Sequence, residues 1–182
     1  SNRLLTLELE LSHKCNYKCK YCYSSAGKEL ENELELEETY NIVDQAKNLG
    51  VQTIVIIGGG EPLLYPYLQE LIIYIHSKQI SVILFTNGAC INNKIAKFLW
   101  KYDVFPVLKI NGINPKTINW LCGNPDAYKN SIEAFSQLKA VGYVQEKNRM
   151  GISSIICRQN YNEIIELWQW VRDNNLIPYF ER

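Results

Sequence analysis

Three cysteines lie close together near the start of the chain, and their number and spacing are the first chemical signal in the sequence. Cys15, Cys19 and Cys22 fall within eight residues, separated by three residues and then by two. One sulfur of such a trio is always left over, and the loop is too short for good pairing, so these cysteines do not form a disulfide framework. Four thiolates would close a zinc site or complete an iron–sulfur cluster, whereas three leave one position open. An open position is what a catalytic metal centre needs.

The cysteine segment follows a run of alternating apolar and polar residues that predicts a β-strand. Further along the chain, strand patterns and helix patterns alternate. Strands are predicted over six segments: Leu4–Leu11, Val51–Ile57, Ser81–Phe85, Val104–Ile110, Gly151–Cys157 and Ile177–Phe180. Helices are predicted between them over Glu37–Leu49, Tyr67–Lys78, Asn92–Tyr102, Asp126–Val141 and Tyr161–Asn174, and 113–123 is predicted to be irregular.

This strand-then-helix repeat predicts an α/β fold with right-handed crossovers and one parallel sheet. A doubly wound sheet and a partial barrel both fit the pattern, and the periodicity does not separate them. In either architecture the chemistry lies at the carboxyl ends of the strands, which is where the cysteine segment begins.

Two further motifs also end predicted strands. Gly58-Gly59-Gly60-Glu61-Pro62 follows the second strand, and Thr86-Asn87-Gly88 follows the third. Glycines permit positive φ and let a ligand approach bare backbone, so the first motif is a candidate binding loop. The structural alternatives are a tight turn with Pro62 in the first turn of a helix, and a generic Asn-Gly turn.

The cysteine spacing with an aromatic residue before the last cysteine, followed in order by the G-G-E-P and T-N-G motifs, resembles the radical S-adenosylmethionine (SAM) enzymes. The resemblance implies a partial parallel (β/α)6 TIM-like barrel over residues 1–182, with a C-terminal continuation absent after the sixth strand. It further implies that Cys15, Cys19 and Cys22 bind three irons of a [4Fe–4S] cluster, whose fourth iron binds SAM. Reduction of the cluster would cleave SAM to a 5′-deoxyadenosyl radical, which abstracts hydrogen from a substrate. The outline resembles the branch that modifies peptides or small natural products.

The same resemblance assigns contacts with SAM to residues at the strand ends. Gly59, Gly60 and Glu61 are expected to bind the methionine amine. The other expected cofactor contacts, made to the adenine, ribose or carboxylate, are Tyr21, Thr86, Asn111, Ser153 and Arg158. Strand alternation predicts that at most one of Ser153 and Ser154 faces inward. Lys109 either faces the interior beside an anion or reaches solvent at the strand end.

Composition limits the classes of partner. The 19 basic and 19 acidic residues cancel, so no basic excess indicates nucleic acid or an anionic membrane. No apolar run approaches the roughly 20 residues that a membrane span needs. We therefore expect neither nucleic acid nor a membrane as a partner. The scattered cysteines and a first segment that does not read as a signal peptide favour a cytoplasmic protein. The resemblance implies a peptide or small-molecule substrate and an electron donor such as flavodoxin or ferredoxin.

Two alternatives stay open at this point. The three cysteines with His13 could bind zinc in a structural or interaction module, or the chain could be a degenerate relative that binds cluster and SAM without catalysis. Cys90, Cys122 and Cys157 are interpreted as buried structural residues. The acidic stretch 29–38 is interpreted as a solvated linker leading into a helix, with a patch for a basic substrate as the alternative.

Overall fold

A computed structural model of the chain describes residues 4–145 and 149–182. Within these residues, the β-strands are β1 Thr6–Leu9, β2 Thr53–Ile56, β3 Ser81–Thr86, β4 Phe105–Lys109, β5 Gly151–Ile155 and β6 Ile177–Glu181. The helices are α1 Leu36–Asn48, α2 Leu68–Ser77, α3 Asn93–Lys101, α4 Pro115–Cys122, α5 Ala127–Val141 and α6 Ile164–Asp173. A one-turn 3₁₀ helix spans Pro62–Leu64. No helix in the described ranges is long and apolar enough to cross a membrane.

The six strands form one parallel sheet whose spatial order is the order of the sequence, β1 to β6. A doubly wound sheet would reverse its strand order, so this order selects the barrel alternative. The sheet is strongly curled: the rings of Phe85 on β3 and Tyr179 on β6 lie 5.4 Å apart. In a flat sheet with strands about 4.8 Å apart, strands separated by two others would stand about 14 Å apart. The predicted partial (β/α)6 barrel is confirmed.

Alternation along the strands gives the sheet two different faces. On β3, Val82 and Leu84 are buried in the core with apolar residues of α2. Ser81, Ile83 and Phe85 point to the concave side, where they line a cavity. The helices therefore cover the convex face, and the concave face is left to form the interior of the half-barrel.

The prediction of an irregular segment over 113–123 is wrong, because α4 forms there. The Asn114 side chain accepts a hydrogen bond of 2.9 Å from the backbone N–H of Lys116, which caps the helix start. Pro115 occupies the first turn, and Gly123 ends the helix in the left-handed conformation with φ 59°. These are ordinary start and stop signals, so local sequence contained the information that identifies the helix.

A carboxylate from a distant loop also caps α4. Glu163, just before α6, accepts hydrogen bonds from the backbone N–H groups of Ile113 (2.8 Å) and Asn114 (3.0 Å). Its other oxygen accepts the hydroxyl of Thr117. A negative charge at this position also complements the positive end of the helix dipole.

The acidic stretch before α1 is largely used in local structure. Glu33 accepts hydrogen bonds from the backbone N–H groups of His13 (2.7 Å) and Leu30 (2.9 Å). Glu35 and Glu38 form a capping box at the start of α1. These contacts support the interpretation as a linker that starts a helix over that of a substrate patch.

We predict that Glu163→Ala lowers the free energy of unfolding by about 1–3 kcal/mol, because three donors of the α4 N-terminus lose their acceptor. Urea denaturation followed by circular dichroism measures the change. Glu166→Ala is the matched control, since Glu166 is exposed on α6 and no hydrogen bond of its side chain is described. Equal stability of the two variants would contradict the capping role of Glu163.

Candidate functional site

A cavity of about 890 Å³ lies at the carboxyl ends of the strands. Loops after β1, β2 and β3 and the ends of β4, β5 and β6 all contribute to its wall. Nine residues predicted as site residues line it: Cys15, Cys19, Tyr21, Cys22, Gly59, Gly60, Glu61, Thr86 and Ser153. The structure therefore brings together motifs that are up to 138 residues apart in the chain, from Cys15 to Ser153.

The three clustered cysteines are free thiols that share this cavity. The backbone N–H of Tyr17 donates to Cys15 Sγ at 3.4 Å. Cys22 Sγ accepts from the backbone N–H of Ala26 at 3.4 Å and lies 3.2 Å from the Ser24 hydroxyl. Backbone donors aimed at sulfur stabilise thiolates, which are the form of cysteine that ligates metals.

The donor set fits an iron–sulfur cluster better than a single metal ion. In the described ranges, no group of three or more His, Cys, Asp or Glu side chains is placed to hold one ion. Cluster ligands bind different irons, so their sulfurs stand farther apart than ligands around one ion. Burial raises the pKa of the Cys15 thiol, and a bound cation would supply the charge that favours its thiolate.

His13 does not join the cysteines. Its Nε2 lies 2.7 Å from the backbone oxygen of Ser24, and the residue is not among those that line the cavity. The zinc alternative is therefore not favoured.

The glycine loop after β2, residues 58–62, packs directly against the backbone of the cysteine loop, which is the segment 12–27 after β1. The backbone N–H groups of Gly60 and Glu61 donate to Ser12 O at 2.6 Å and Lys14 O at 2.8 Å. A Cβ on Gly60 would lie 1.9 Å from Lys14 O, and one on Gly59 would lie 2.6 Å from Ser12 O. The sequence suggested glycines for ligand access, and the structure shows that they are also required for contact between the two loops.

The carboxylate of Glu61 is buried, 3% exposed, at the base of this loop. It accepts hydrogen bonds from the Thr86 hydroxyl (2.6 Å) and from the backbone N–H groups of Asn87 (2.7 Å) and Leu63 (3.1 Å). Burial raises the pKa of Glu61, and these three donors oppose that shift. Glu61 and Thr86 thus join the G-G-E-P and T-N-G motifs into one network.

Asn111 is fully buried behind the cavity wall and is not among the lining residues. Its amide nitrogen donates to the Tyr21 hydroxyl and, at 3.7 Å, to Cys122 Sγ. Its amide oxygen accepts from the backbone N–H of Ile155 at 3.2 Å. The protein thus already binds both amide hydrogens of Asn111. These bonds do not favour the predicted contact between Asn111 and the ribose of SAM, which stays a prediction.

Lys109 faces the interior of the half-barrel, which was one of the two positions that the sequence allowed for it. It lies in a row across the sheet with Ser153 and Tyr179. Its ammonium donates to the Ser153 hydroxyl at 3.1 Å and lies 3.9 Å from the carboxylate of Glu181. Burial lowers the pKa of Lys109. Ser153 lines the cavity and Ser154 does not, so the alternation prediction is confirmed.

Arg158 is exposed in the turn after β5 and is not among the lining residues. The structure therefore does not bring it to the cavity, and its predicted contact with the SAM carboxylate stays a prediction. Lys109 is a cation that does line the cavity.

The sequence left the position of Lys109 open between two alternatives, and it indicated for Cys122 only a buried structural role. Strand alternation favours the interior for Lys109, because it shares the inward phase of β4 with Val107, which also lines the cavity. Cys122 contacts the cysteine loop through its backbone oxygen, which accepts the N–H of Lys18 at 3.3 Å, and its Sγ lies 4.0 Å from the hydroxyl of Tyr21, 101 residues away in the chain. No local pattern indicates that contact, because it depends on where α4 packs.

Comparison with known proteins matches the chain to a family. The model of the Radical SAM superfamily matches residues 9–171. Mycofactocin maturase MftC from Mycobacterium ulcerans is 30% identical over 161 residues, which cover 88% of this chain and 42% of the relative. The chain thus spans less than half the length of this curated relative.

Solved structures agree in fold. Streptococcus suis SuiB bound to S-adenosylmethionine superposes with a TM-score of 0.78 at 28% identity, covering 98% of this chain and 41% of SuiB. SuiB bound to precursor peptide SuiA gives a TM-score of 0.80 at 26% identity, covering 98% and 40%. Nearly the whole of the present chain is therefore accounted for by a part of SuiB.

We predict that Gly60→Ala displaces the cysteine loop, because the added Cβ would collide with backbone atoms of Lys14. Overpacking of this kind costs about 1–3 kcal/mol, which urea denaturation measures. Gly27→Ala is the control and lies in the cysteine loop itself, where an added Cβ meets nothing within 4 Å. A Gly60→Ala protein as stable as Gly27→Ala would contradict the proposed contact between loops.

We predict that Thr86→Val destabilises the fold by about 1–3 kcal/mol, since Glu61 loses a buried donor. A carboxyl whose pKa is raised in the folded state loses stability as pH rises through that pKa. Removing the donor raises the pKa of Glu61 further, so the loss should be larger at neutral than at mildly acidic pH. Urea denaturation at both pH values tests this, and a loss independent of pH would contradict it.

Proposed function

Because the chain belongs to the Radical SAM superfamily, we propose that residues 1–182 form the core domain of a radical SAM enzyme. The proposal rests above all on one observation: the three free cysteines, the glycine loop and Glu61 line the same cavity. When bound, a [4Fe–4S] cluster and SAM supply the reductive cleavage that generates an organic radical. The protein's contribution is to bind, orient and exclude water.

Each part of the cavity wall has a distinct role in this proposal. Cys15, Cys19 and Cys22 would hold the cluster. Gly59, Gly60 and the carboxylate of Glu61 form the polar site for an ammonium group such as the methionine amine. A buried carboxylate needs a cationic partner or hydrogen bonds, and Glu61 has three donors besides the proposed ligand.

Other residues of the cavity wall are suited to aromatic and polar parts of the ligand. Tyr21 and Ser153 line it and are proposed to contact the nucleoside of SAM, with Thr86 holding Glu61 in place. Lys109, half-buried beside Tyr21 with its ammonium 5.3 Å from the ring centroid, adds a cation to this wall.

We propose a peptide as the substrate. MftC is named a maturase, and one SuiB structure contains a precursor peptide. The interior also has room for a side chain, because a second cavity of about 620 Å³ continues along the concave face. The two cavities share Glu8, Ile57, Phe85, Val107 and Tyr179. A small natural product is the second substrate class, and the assay below distinguishes the two.

The proposed partners follow from the chemistry. Reduction of the cluster needs a one-electron donor, for which a flavodoxin or ferredoxin is the proposed class. Six free cysteines suit a reducing compartment, so a cytoplasmic location is proposed.

We predict that anaerobic reconstitution with iron and sulfide gives a dithionite-reducible protein with a [4Fe–4S]⁺ EPR signal that changes when SAM is added. The same samples should release 5′-deoxyadenosine. Cys19→Ala should lose cluster and product, whereas Cys90→Ala should retain both, because Cys90 does not line the cavity. Addition of candidate precursor peptides, with mass spectrometry of peptide and small-molecule fractions, tests the substrate class.

Each outcome decides between the alternatives. A cluster that does not respond to SAM and yields no 5′-deoxyadenosine would indicate the degenerate relative. Tightly bound zinc without a cluster would restore the zinc module. Retention of cluster and product in Cys19→Ala would overturn the assignment of the ligands.

A further inference from the structure

The C-terminal turn of α4 is bound to the backbone on both sides of the middle cysteine of the loop. The backbone N–H of Lys18 donates to Cys122 O at 3.3 Å, and that of Lys20 donates to Leu121 O at 2.9 Å. A Cβ on Gly123, the residue that ends α4, would lie 2.2 Å from Lys18 O and 3.3 Å from Lys18 Cβ. Exposed side chains of this part of the loop and of α4 are therefore neighbours on the protein surface.

Three lysines and a tryptophan share that surface. Lys18 and Lys20 are exposed, and the Lys20 ammonium lies 4.9 Å from the ring centroid of Trp120, which is 50% exposed. Lys116, also exposed, precedes Trp120 by four residues on α4, so the two side chains lie on the same face of the helix. We call Lys18, Lys20, Lys116 and Trp120 the lysine patch.

The lysine patch is positive although the chain is neutral. The cysteine loop, 12–27, holds three lysines, the segment 113–125 around α4 holds one, and neither contains Asp or Glu. Among the described residues, the lysines of the patch form no ion pair with a carboxylate, whereas Lys14 of the same loop pairs with Glu29 at 2.8 Å. The Glu163 carboxylate at the start of α4 is occupied by three hydrogen bonds. The charge of the patch is therefore available to a negatively charged partner.

The lysine patch is adjacent to the proposed cluster but lies outside the cavity. Cys19 and Tyr21 line the cavity, whereas Lys18 and Lys20, which alternate with them along the chain, do not. A partner bound to the patch would contact the chain on both sides of Cys19 and would leave the cavity to SAM and the substrate. This separation does not suit a substrate, whose reacting atoms must enter the cavity. It suits a partner that passes only an electron.

We propose that the lysine patch is the docking surface for an acidic one-electron carrier protein, which passes its electron to the cluster through the backbone beside Cys19. This inference rests on the proposed function, since it requires a cluster. The carrier is oxidised by one electron and the cluster is reduced by that electron, with no bond formed or broken. Lysines steer an acidic partner into encounter, and an exposed aromatic ring supplies an apolar centre for a small transient interface.

The test measures binding of an acidic flavodoxin to the anaerobically reconstituted protein by isothermal titration calorimetry at low salt. In Lys18→Gln/Lys20→Gln we expect the dissociation constant to rise about fivefold, because two exposed charge pairs of the complex are lost. The difference should shrink at high salt, which screens exposed charges.

Lys101→Gln/Lys139→Gln is the matched control. It removes the same charge from exposed lysines in the last turns of α3 and α5, at the edge of the sheet opposite the cysteine loop. Lys101 also lies over an aromatic ring, with its ammonium 5.0 Å from the ring centroid of Tyr102, as Lys20 lies over Trp120. The control should bind flavodoxin as tightly as wild type.

A second readout separates docking from chemistry. With reduced flavodoxin as the electron donor, release of 5′-deoxyadenosine should slow in Lys18→Gln/Lys20→Gln. With dithionite, which needs no docking surface for a protein, release should equal that of wild type. Slower release with both donors would overturn the docking role, since it would place the defect in the chemistry.

The other outcomes are equally decisive. A wild-type protein that does not bind flavodoxin would overturn the docking surface, as would equal losses of affinity in the patch and control variants. Binding of a polyglutamate peptide but not of flavodoxin would assign the patch to an acidic peptide and overturn the carrier. Should the double variant bind no cluster, Lys116→Gln, outside the cysteine loop, should raise the dissociation constant about twofold, and an unchanged value would overturn the proposal. A wild-type protein without a cluster would overturn the proposed function itself.

Discussion

The cysteine loop has little regular structure of its own, and the site depends on how its backbone is held by neighbouring elements. On one side, its carbonyls accept the N–H groups of the glycine loop after β2. On the other, its N–H groups donate to the end of α4. Within the loop, the backbone N–H of Cys15 donates to Gly27 O at 3.1 Å. Because buried backbone groups must be paired, these bonds fix the path of the loop and the directions of its sulfurs.

The curled sheet makes that arrangement possible. Helices cover the convex face with ordinary apolar packing, which leaves the concave face free for polar and charged side chains such as Lys109 and Ser153. A lysine at this position in a flat sheet covered on both faces would need a buried anion. In the half-barrel its ammonium lies beside a hydroxyl and near Glu181, on the last strand. Folding thus separates the face that provides stability from the face available for chemistry.

The sequence was sufficient for the fold class and for the residues whose roles depend on local motifs. Cys15 and Glu61 lie at strand ends, where parallel topology brings them together without further information. Asn111 and Arg158 were assigned to SAM by resemblance alone. In the structure Asn111 is buried and hydrogen-bonded within the protein, and Arg158 is exposed. The contact of Cys122 with the cysteine loop could not be identified, because its neighbours depend on the packing of a helix far along the chain.

The support of α4 at both ends has a consequence for protein engineering. Glu163 binds its first turn, and its last turn binds the cysteine loop, so the eight-residue motif is mechanically connected to a residue more than 140 positions later. Transplanting the motif alone into another scaffold would transfer the ligand types but not the backbone path that orients them. A transferable unit would have to include β1, the glycine loop, α4 and the turn that carries Glu163. The smallest portable form of this centre is therefore close to the whole half-barrel.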